Sequence, residues 1–496
     1  MEDLTIISLV VTSVVVAAVV LRLIWFRSTK SRGLKLPPGP KGLPILGHLP
    51  FLKKSLQYDR CAQLAKTYGP LLRIDAGIAN VVVLNDFESI KKFLSQKEIL
   101  YRPESWIVAL MNGRGVANLN GQEWEENRRF CMHVLRDVGY GKKDIEERVR
   151  EEALYLCEKI AAKERSAFGI EDYLIPSISN NLCSLLFGTR YNFEDPRRKF
   201  LDVRLNSILK LLFSGSFFAL LPAWANKLVA MFPHTKANHV KDVSEELMAF
   251  VRQQAKEHEK TLDPGFNRDF IDGYLKKMKE EKDNFNFNMG LLVGNVLSFL
   301  IAGSNTVRVA IQWHLFNLAK NPDTVQAMIQ REIDHVVGME RQPCWEDRYK
   351  MPYTMATIWE MYRWRTNSPL GVPRAAGEDT FFGDYFIPKG TTVMPNLWAV
   401  HNSPELWKNP EVFDPSRFLK SDGSLVTKPE YLIPFTIGKR MCPGEIMATI
   451  EIFLYVTTLL QRFNILPEEG RTISLAIQPT AFNVFPEQKL RFVPRN

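Results

Sequence analysis

Pro434-Phe435-Thr436-Ile437-Gly438-Lys439-Arg440-Met441-Cys442-Pro443-Gly444-Glu445, followed by the apolar run Ile446 to Leu460, decides how this chain is read. The spacing is Phe-x-x-Gly-x-Arg-x-Cys-x-Gly. Glycine has no Cβ, so Gly438 and Gly444 let the backbone fold tightly around Cys442 and leave room for a flat ligand beside it. A bare cysteine is ordinarily a small buried hydrophobe. One framed in this way is suited to present a thiolate to a metal.

Three further segments follow the same logic. Glu360-Met361-Tyr362-Arg363 puts an acid and a base at i and i+3 on one helical face, flanked by the apolar Met355, Ile358 and Trp359. Phe413-Asp414-Pro415-Ser416-Arg417-Phe418 offers a second cation to that pair. Trp124-Glu125-Glu126-Asn127-Arg128 places an indole N–H and a guanidinium one helical turn apart. Together with the cysteine loop, these segments resemble the cytochrome P450 family, and the resemblance runs from about Pro37 to the C-terminus. Leu135 to Lys143 and Asp269 to Leu275 are similar to segments of its microsomal family-2-like branch.

The resemblance implies a mostly α (α+β) cytochrome P450 fold, a helical domain with small β-sheets around a buried haem b (iron protoporphyrin IX). Cys442 would be the axial ligand of the haem iron, in a loop shaped by Phe435, Gly438 and Gly444; a thiolate there pushes electron density toward oxygen. Trp124, Arg128, Arg440, Arg374 and Arg102 would hold the haem propionates, because a guanidinium fork pairs bidentately with carboxylates. Glu360, Arg363 and Arg417 would shape the haem-side core.

The run Phe299-Leu300-Ile301-Ala302-Gly303-Ser304-Asn305-Thr306-Val307 is similar to the family's oxygen-binding helix. Small Ala302 and Gly303 would leave space for O₂, and the Thr306 hydroxyl, both donor and acceptor, would route protons. The family usually has an acid where this chain has Asn305, and an amide cannot carry a proton in and out. Two activities follow. One is monooxygenation of a lipophilic small molecule (steroid, fatty acid or xenobiotic), with electrons from NADPH. The other is isomerisation or dehydration of lipid peroxides without O₂ or reductase. Arg308 is also unusual in so apolar a helix.

Bulk properties agree with one large unit. The 496 residues contain 46% hydrophobic residues and no repeat or linker. Helical periodicity spans Glu146 to Glu164, Asp242 to Glu259 and Met289 to Leu318; short strand-like runs occur at Leu71 to Asp75 and Val81 to Leu84. Six cysteines form no CxxC pattern and eight histidines no paired metal spacing. The net charge of +9 is not gathered into basic runs with interleaved aromatics, which excludes a nucleic-acid reading. It suits a membrane surface and an acidic redox partner; the resemblance implies that this partner is NADPH-cytochrome P450 reductase and, beside it, cytochrome b5, with Lys439, Arg129 and Arg136 as candidate contacts.

Residues 1–32 are expected to be a membrane anchor and basic stop, and 33–496 the catalytic domain. Leu4 through Phe26 is almost wholly apolar, preceded by Glu2 and Asp3 and followed by Arg27, Lys30 and Arg32. That charge order predicts a single-pass protein with a cytosolic catalytic domain, and the resemblance to microsomal members implies the endoplasmic reticulum membrane. Trp106, Val108, Leu110, Val116, Leu119, Leu212, Phe213, Phe217, Phe218, Leu220, Leu370, Val372, Phe482 and Val484 are candidate walls of an apolar substrate pocket. The run Phe217 to Leu228 is a second apolar membrane contact. Deletion of residues 1–32 is therefore expected to release the chain from membranes only in part; complete solubility of the truncated protein at low salt would reject the second contact.

Overall fold

The computed structural model describes Ser13 and residues 33–43, 47–51, 56–76, 79–104, 114–141, 143–213, 227–281, 286–479 and 483–495. The anchor and most of the Phe217 to Leu228 run lie outside these residues. Among them thirteen α-helices run in the order α1 (Tyr58–Tyr68), α2 (Phe87–Leu94), α3 (Gly121–Asp137), α4 (Lys143–Ala161), α5 (Glu171–Phe187), α6 (Pro196–Phe213) and α7 (Lys236–Lys260). They continue with α8 (Phe270–Glu280), α9 (Met289–Lys320), α10 (Ala327–Val336), α11 (Pro352–Trp364), α12 (Leu397–His401) and α13 (Glu445–Arg462). The strands are short. β1 (Leu71–Ala76) and β2 (Ala79–Leu84) pair antiparallel with Leu71 opposite Leu84. With β3 (Arg374–Ala375) and β4 (Thr392–Pro395), which runs parallel to β2, they form a sheet in the order β1-β2-β4-β3.

The expected α+β class is therefore what forms, and its spine is α9. Asn288 starts this helix by accepting a hydrogen bond from the Leu291 amide, which satisfies one of the unpaired first-turn donors. It is the one described helix long and apolar enough to cross a bilayer, yet most of it is buried, packed most extensively on α5 and also on α13. Its apolar character is that of a core helix. The predicted helix Glu146 to Glu164 instead spans Lys143–Ala161, because Glu164 and Arg165 take positive φ (48° and 66°), which the right-handed helix excludes.

Close backbone approach fixes α9 against the loop before α3. A Cβ on Gly115 would meet the Gly294 carbonyl oxygen at 2.2 Å, and one on Gly294 would meet the Arg114 carbonyl oxygen at 2.0 Å. Beside this contact the buried amides of Asn127 (α3) and Asn295 (α9) exchange hydrogen bonds of 2.8 and 2.9 Å. The expected acid–base pair of α11 also forms: Arg363 donates to both oxygens of Glu360 at 2.6 and 2.7 Å with neither side chain exposed. Arg417 adds a second cation at 3.1 Å. Arg363 further donates to the carbonyls of His401, Pro410 and Val412, so removing one partner would strand a buried charge, at about 3–5 kcal/mol.

A second buried carboxyl has no such cation. Glu451 on α13 accepts from Asn181 Nδ2 at 2.8 Å, beside the Tyr455–Ser177 hydroxyl pair. Burial pushes its pKa from 4.5 up to about 8. A raised folded pKa makes the contribution full below about 4.5 and lost as pH rises through 8. Glu451→Gln should therefore flatten the pH dependence of the thermal midpoint, gaining on the wild type as pH rises from 5 to 8. A parallel pair of curves would refute the buried neutral carboxyl.

Candidate haem site

The cysteine loop is built from the residues up. Thr436 (φ 60°) and Gly438 (φ 79°) both take the left-handed region, which turns the chain so that the Met441 amide bonds the Gly438 carbonyl and the Cys442 amide the Phe435 carbonyl, at 2.9 and 3.0 Å. A Cβ on Gly438 would approach the Leu94 carbonyl oxygen at 2.9 Å. The Gly444 amide donates to Cys442 Sγ at 3.4 Å, and α13 starts at the next residue. Three side chains hold the loop from outside. Arg128 donates to the Met441 carbonyl (2.7 Å), Tyr140 to that of Pro443 (2.6 Å) and Arg374 to that of Ile437 (2.9 Å). The Phe435 ring meets Tyr362 edge-on, 5.1 Å between centroids.

Cys442 is deep enough for burial to push its thiol pKa up, countered by the Gly444 amide, yet its surface is open. Those two facts place it on the wall of an interior space. The midpoint of α9 has the same character: Ala302 is exposed and Thr306 half-buried in a helix that is otherwise largely covered.

The predicted arginines converge. Arg440 stacks on the Trp124 ring at 3.7 Å, with Arg128 at 5.8 Å from the same ring. Their donors go to neutral acceptors. Arg440 bonds the carbonyls of Leu100 (2.7 Å) and Leu119 (2.5 Å), Arg102 those of Pro373 (2.6 Å) and Val372 (3.0 Å), and Arg374 those of Leu94 and Ile437. Burial, then Arg102, Arg374 and Arg128, depress Arg440 to about 8; burial with the other cations lowers Arg374 to about 9 and Arg102 to about 10. The acid that acts on Arg440 is Glu125, which faces Lys439 at 3.6 Å. Trp124 Nε1 and one Arg440 Nη are buried with no partner among the described residues. Four clustered cations with spare donors fit a ligand carrying two carboxylates, as haem does.

Not every expected residue points inward. The missing Cβ of Gly303 lies against Leu182 of α5, so its small size serves helix packing. Thr306 Oγ1 donates to its own i−4 carbonyl, Ala302, at 2.8 Å. Asn305 turns away from the accessible side and its Oδ1 accepts from Arg308 Nε (2.8 Å) and Nη2 (2.5 Å). Val116, Leu119 and Leu370 are buried, while Val372 is exposed. Leu119 and Leu370 pack into two separate core clusters. The remaining candidate pocket walls fall outside the described side chains. Two contributors lacked any sequence signal: Asn120, whose Oδ1 accepts from the Arg102 amide and from Arg440, and the carbonyl cage itself.

Residues 37–491 match the family model described as Cytochrome P450. The chain belongs to the cytochrome P450 family. It is 37% identical over 452 residues to human Cytochrome P450 2C8, covering 89% of this chain and 90% of that protein. It is 38% identical over 478 residues to mouse Cytochrome P450 2A12 (94% of each). Chicken Cytochrome P450 2H1 is 35% identical over 481 residues, 95% of this chain and 96% of its own length. As a member of the family the protein is a monooxygenase whose cofactor is haem b with a cysteine thiolate ligand. Charge-assisted hydrogen bonds are each worth about 1.5–3 kcal/mol. Arg440→Gln should thus accelerate haem loss to apomyoglobin on the order of 10- to 100-fold, and Arg129→Gln should not; equal rates would remove the arginine cluster from haem binding.

Proposed function

We propose that this P450 inserts one oxygen atom of O₂ into a lipophilic small molecule and reduces the other to water, with Cys442 as the haem iron's thiolate ligand. The observation that carries this reading is the accessible Cys442 in a loop held by Arg128 and Arg374, members of a cluster of uncompensated arginines. The bound haem supplies oxygen activation. The chain's own groups do the rest. The Gly444 amide bonds the Cys442 sulfur and stabilises its negative charge. Trp124, Arg128, Arg440, Arg374 and Arg102 bind and orient the carboxylates. Thr306 offers a hydroxyl that exchanges its Ala302 bond for a proton-delivering one on the accessible side of α9.

Electrons come from NADPH through NADPH-cytochrome P450 reductase, with cytochrome b5 as a second donor; the net charge of +9 favours acidic partners. Residues 1–32 anchor the 33–496 catalytic domain in the endoplasmic reticulum membrane, facing the cytosol. Leu228, Met231 and Phe232, all exposed, extend the apolar run that begins at Phe217 and offer a route for substrate from the bilayer. The peroxide isomerase reading rested on Asn305, and the family match does not favour it.

Reduced wild-type protein with carbon monoxide should show the long-wavelength band of a thiolate-ligated haem, absent in Cys442→Ser. Persistence of that band in the variant would overturn the ligand assignment. Thr306→Ala should lower product per NADPH and raise hydrogen peroxide, within the roughly 10²–10⁴-fold typical of positioned proton transfer. Turnover of lipid hydroperoxides without NADPH or reductase would instead establish the isomerase.

A further inference from the structure

Two departures of this chain, an amide at 305 and a cation at 308, turn out to be one structure. In a helix, positions 305 and 308 share a face while 306 is turned about a quarter of the way round. Asn305 and Arg308 are accordingly both buried, whereas Thr306 is half-buried. Two N–H groups of the Arg308 fork converge on Asn305 Oδ1, at 2.8 and 2.5 Å. The remaining Nη1 bonds Glu171 Oε1 at 2.7 Å and also Gln312 Oε1. Glu171 sits in the first turn of α5, where a carboxylate is favoured by the helix dipole. It is the charged group among the described residues that acts on Arg308.

This geometry removes residue 305 from proton traffic. Turning the amide over would set its NH₂ donors against the guanidinium donors, so the orientation is locked. Arginine stays protonated in proteins, so no relay passes from Glu171 through Arg308. We infer that Arg308, backed by Glu171, is a positioning residue that clamps Asn305 to α5 and fixes the α9 turn carrying Ala302 and Thr306, so that protons reach Thr306 from water on its accessible side rather than through side chain 305. The inference rests on the monooxygenase reading for its consequence in turnover, but the clamp itself is testable without it.

The test uses full-length holoenzyme. Infrared difference spectra of Asn305→Asp should show the new carboxyl ionised at neutral pH, because a cation beside a carboxylate favours its charged form. In the double variant Asn305→Asp with Arg308→Met the same buried group should be protonated. A protonated carboxyl at position 305 with Arg308 present would overturn the clamp. In turnover, Arg308→Met should cut product per NADPH several-fold with a matching rise in hydrogen peroxide. Arg308→Lys should restore part of it, and Glu171→Gln should shift coupling the same way by less. Coupling within twofold of wild type in Arg308→Met or, should that variant not fold, in Glu171→Gln would reduce Arg308 to a merely structural residue. Absence of NADPH-dependent turnover in the wild type would instead count against the monooxygenase reading, and the infrared comparison would still judge the clamp.

Discussion

Everything around the site answers to one electrostatic constraint: four guanidinium groups are held together in the interior with no carboxylate paired to them among the described residues. Charges taken out of water are costly unless compensated. Here the fold supplies carbonyl oxygens from Leu94, Leu100, Leu119, Pro373 and Ile437, which position the cations without neutralising them. The negative charge has to come from the bound group. Cofactor binding and folding are therefore linked: a ligand that binds only the folded state stabilises it by mass action. The haem holds the domain together as well as equipping it.

The same constraint explains the shape of the loop. Arg128 and Arg374 each spend a donor on the Cys442 loop, at Met441 and Ile437. The arginine cluster and the cysteine loop are thus parts of one hydrogen-bonded assembly, tied through α3 to α9 by Asn127 and Asn295.

How much of this could be read in the sequence follows from the type of signal. Cys442, Arg440, Trp124 and Arg128 sit at fixed spacings within single elements, so their convergence was foreseeable. The Glu360–Arg363 pair was legible for the same reason. Illegible were contacts made by backbone carbonyls, which carry no residue-type signal, and directions around a helix set by tertiary partners. Gly303 reads as space for oxygen but serves Leu182. Asn305 reads as a weakened relay, yet its partner Arg308 is held by Glu171, more than a hundred residues earlier in the chain. No local pattern could announce that pairing.

The contact between Gly115 and Gly294 has a consequence for anyone diversifying this enzyme. Two backbones meet there with no room for a single extra carbon, at a place where the loop preceding α3 crosses α9. A combinatorial library that randomises the helix would fill with unfolded clones through position 294 alone. The chain thus marks in its own glycines where the main chain has already closed the door to substitution.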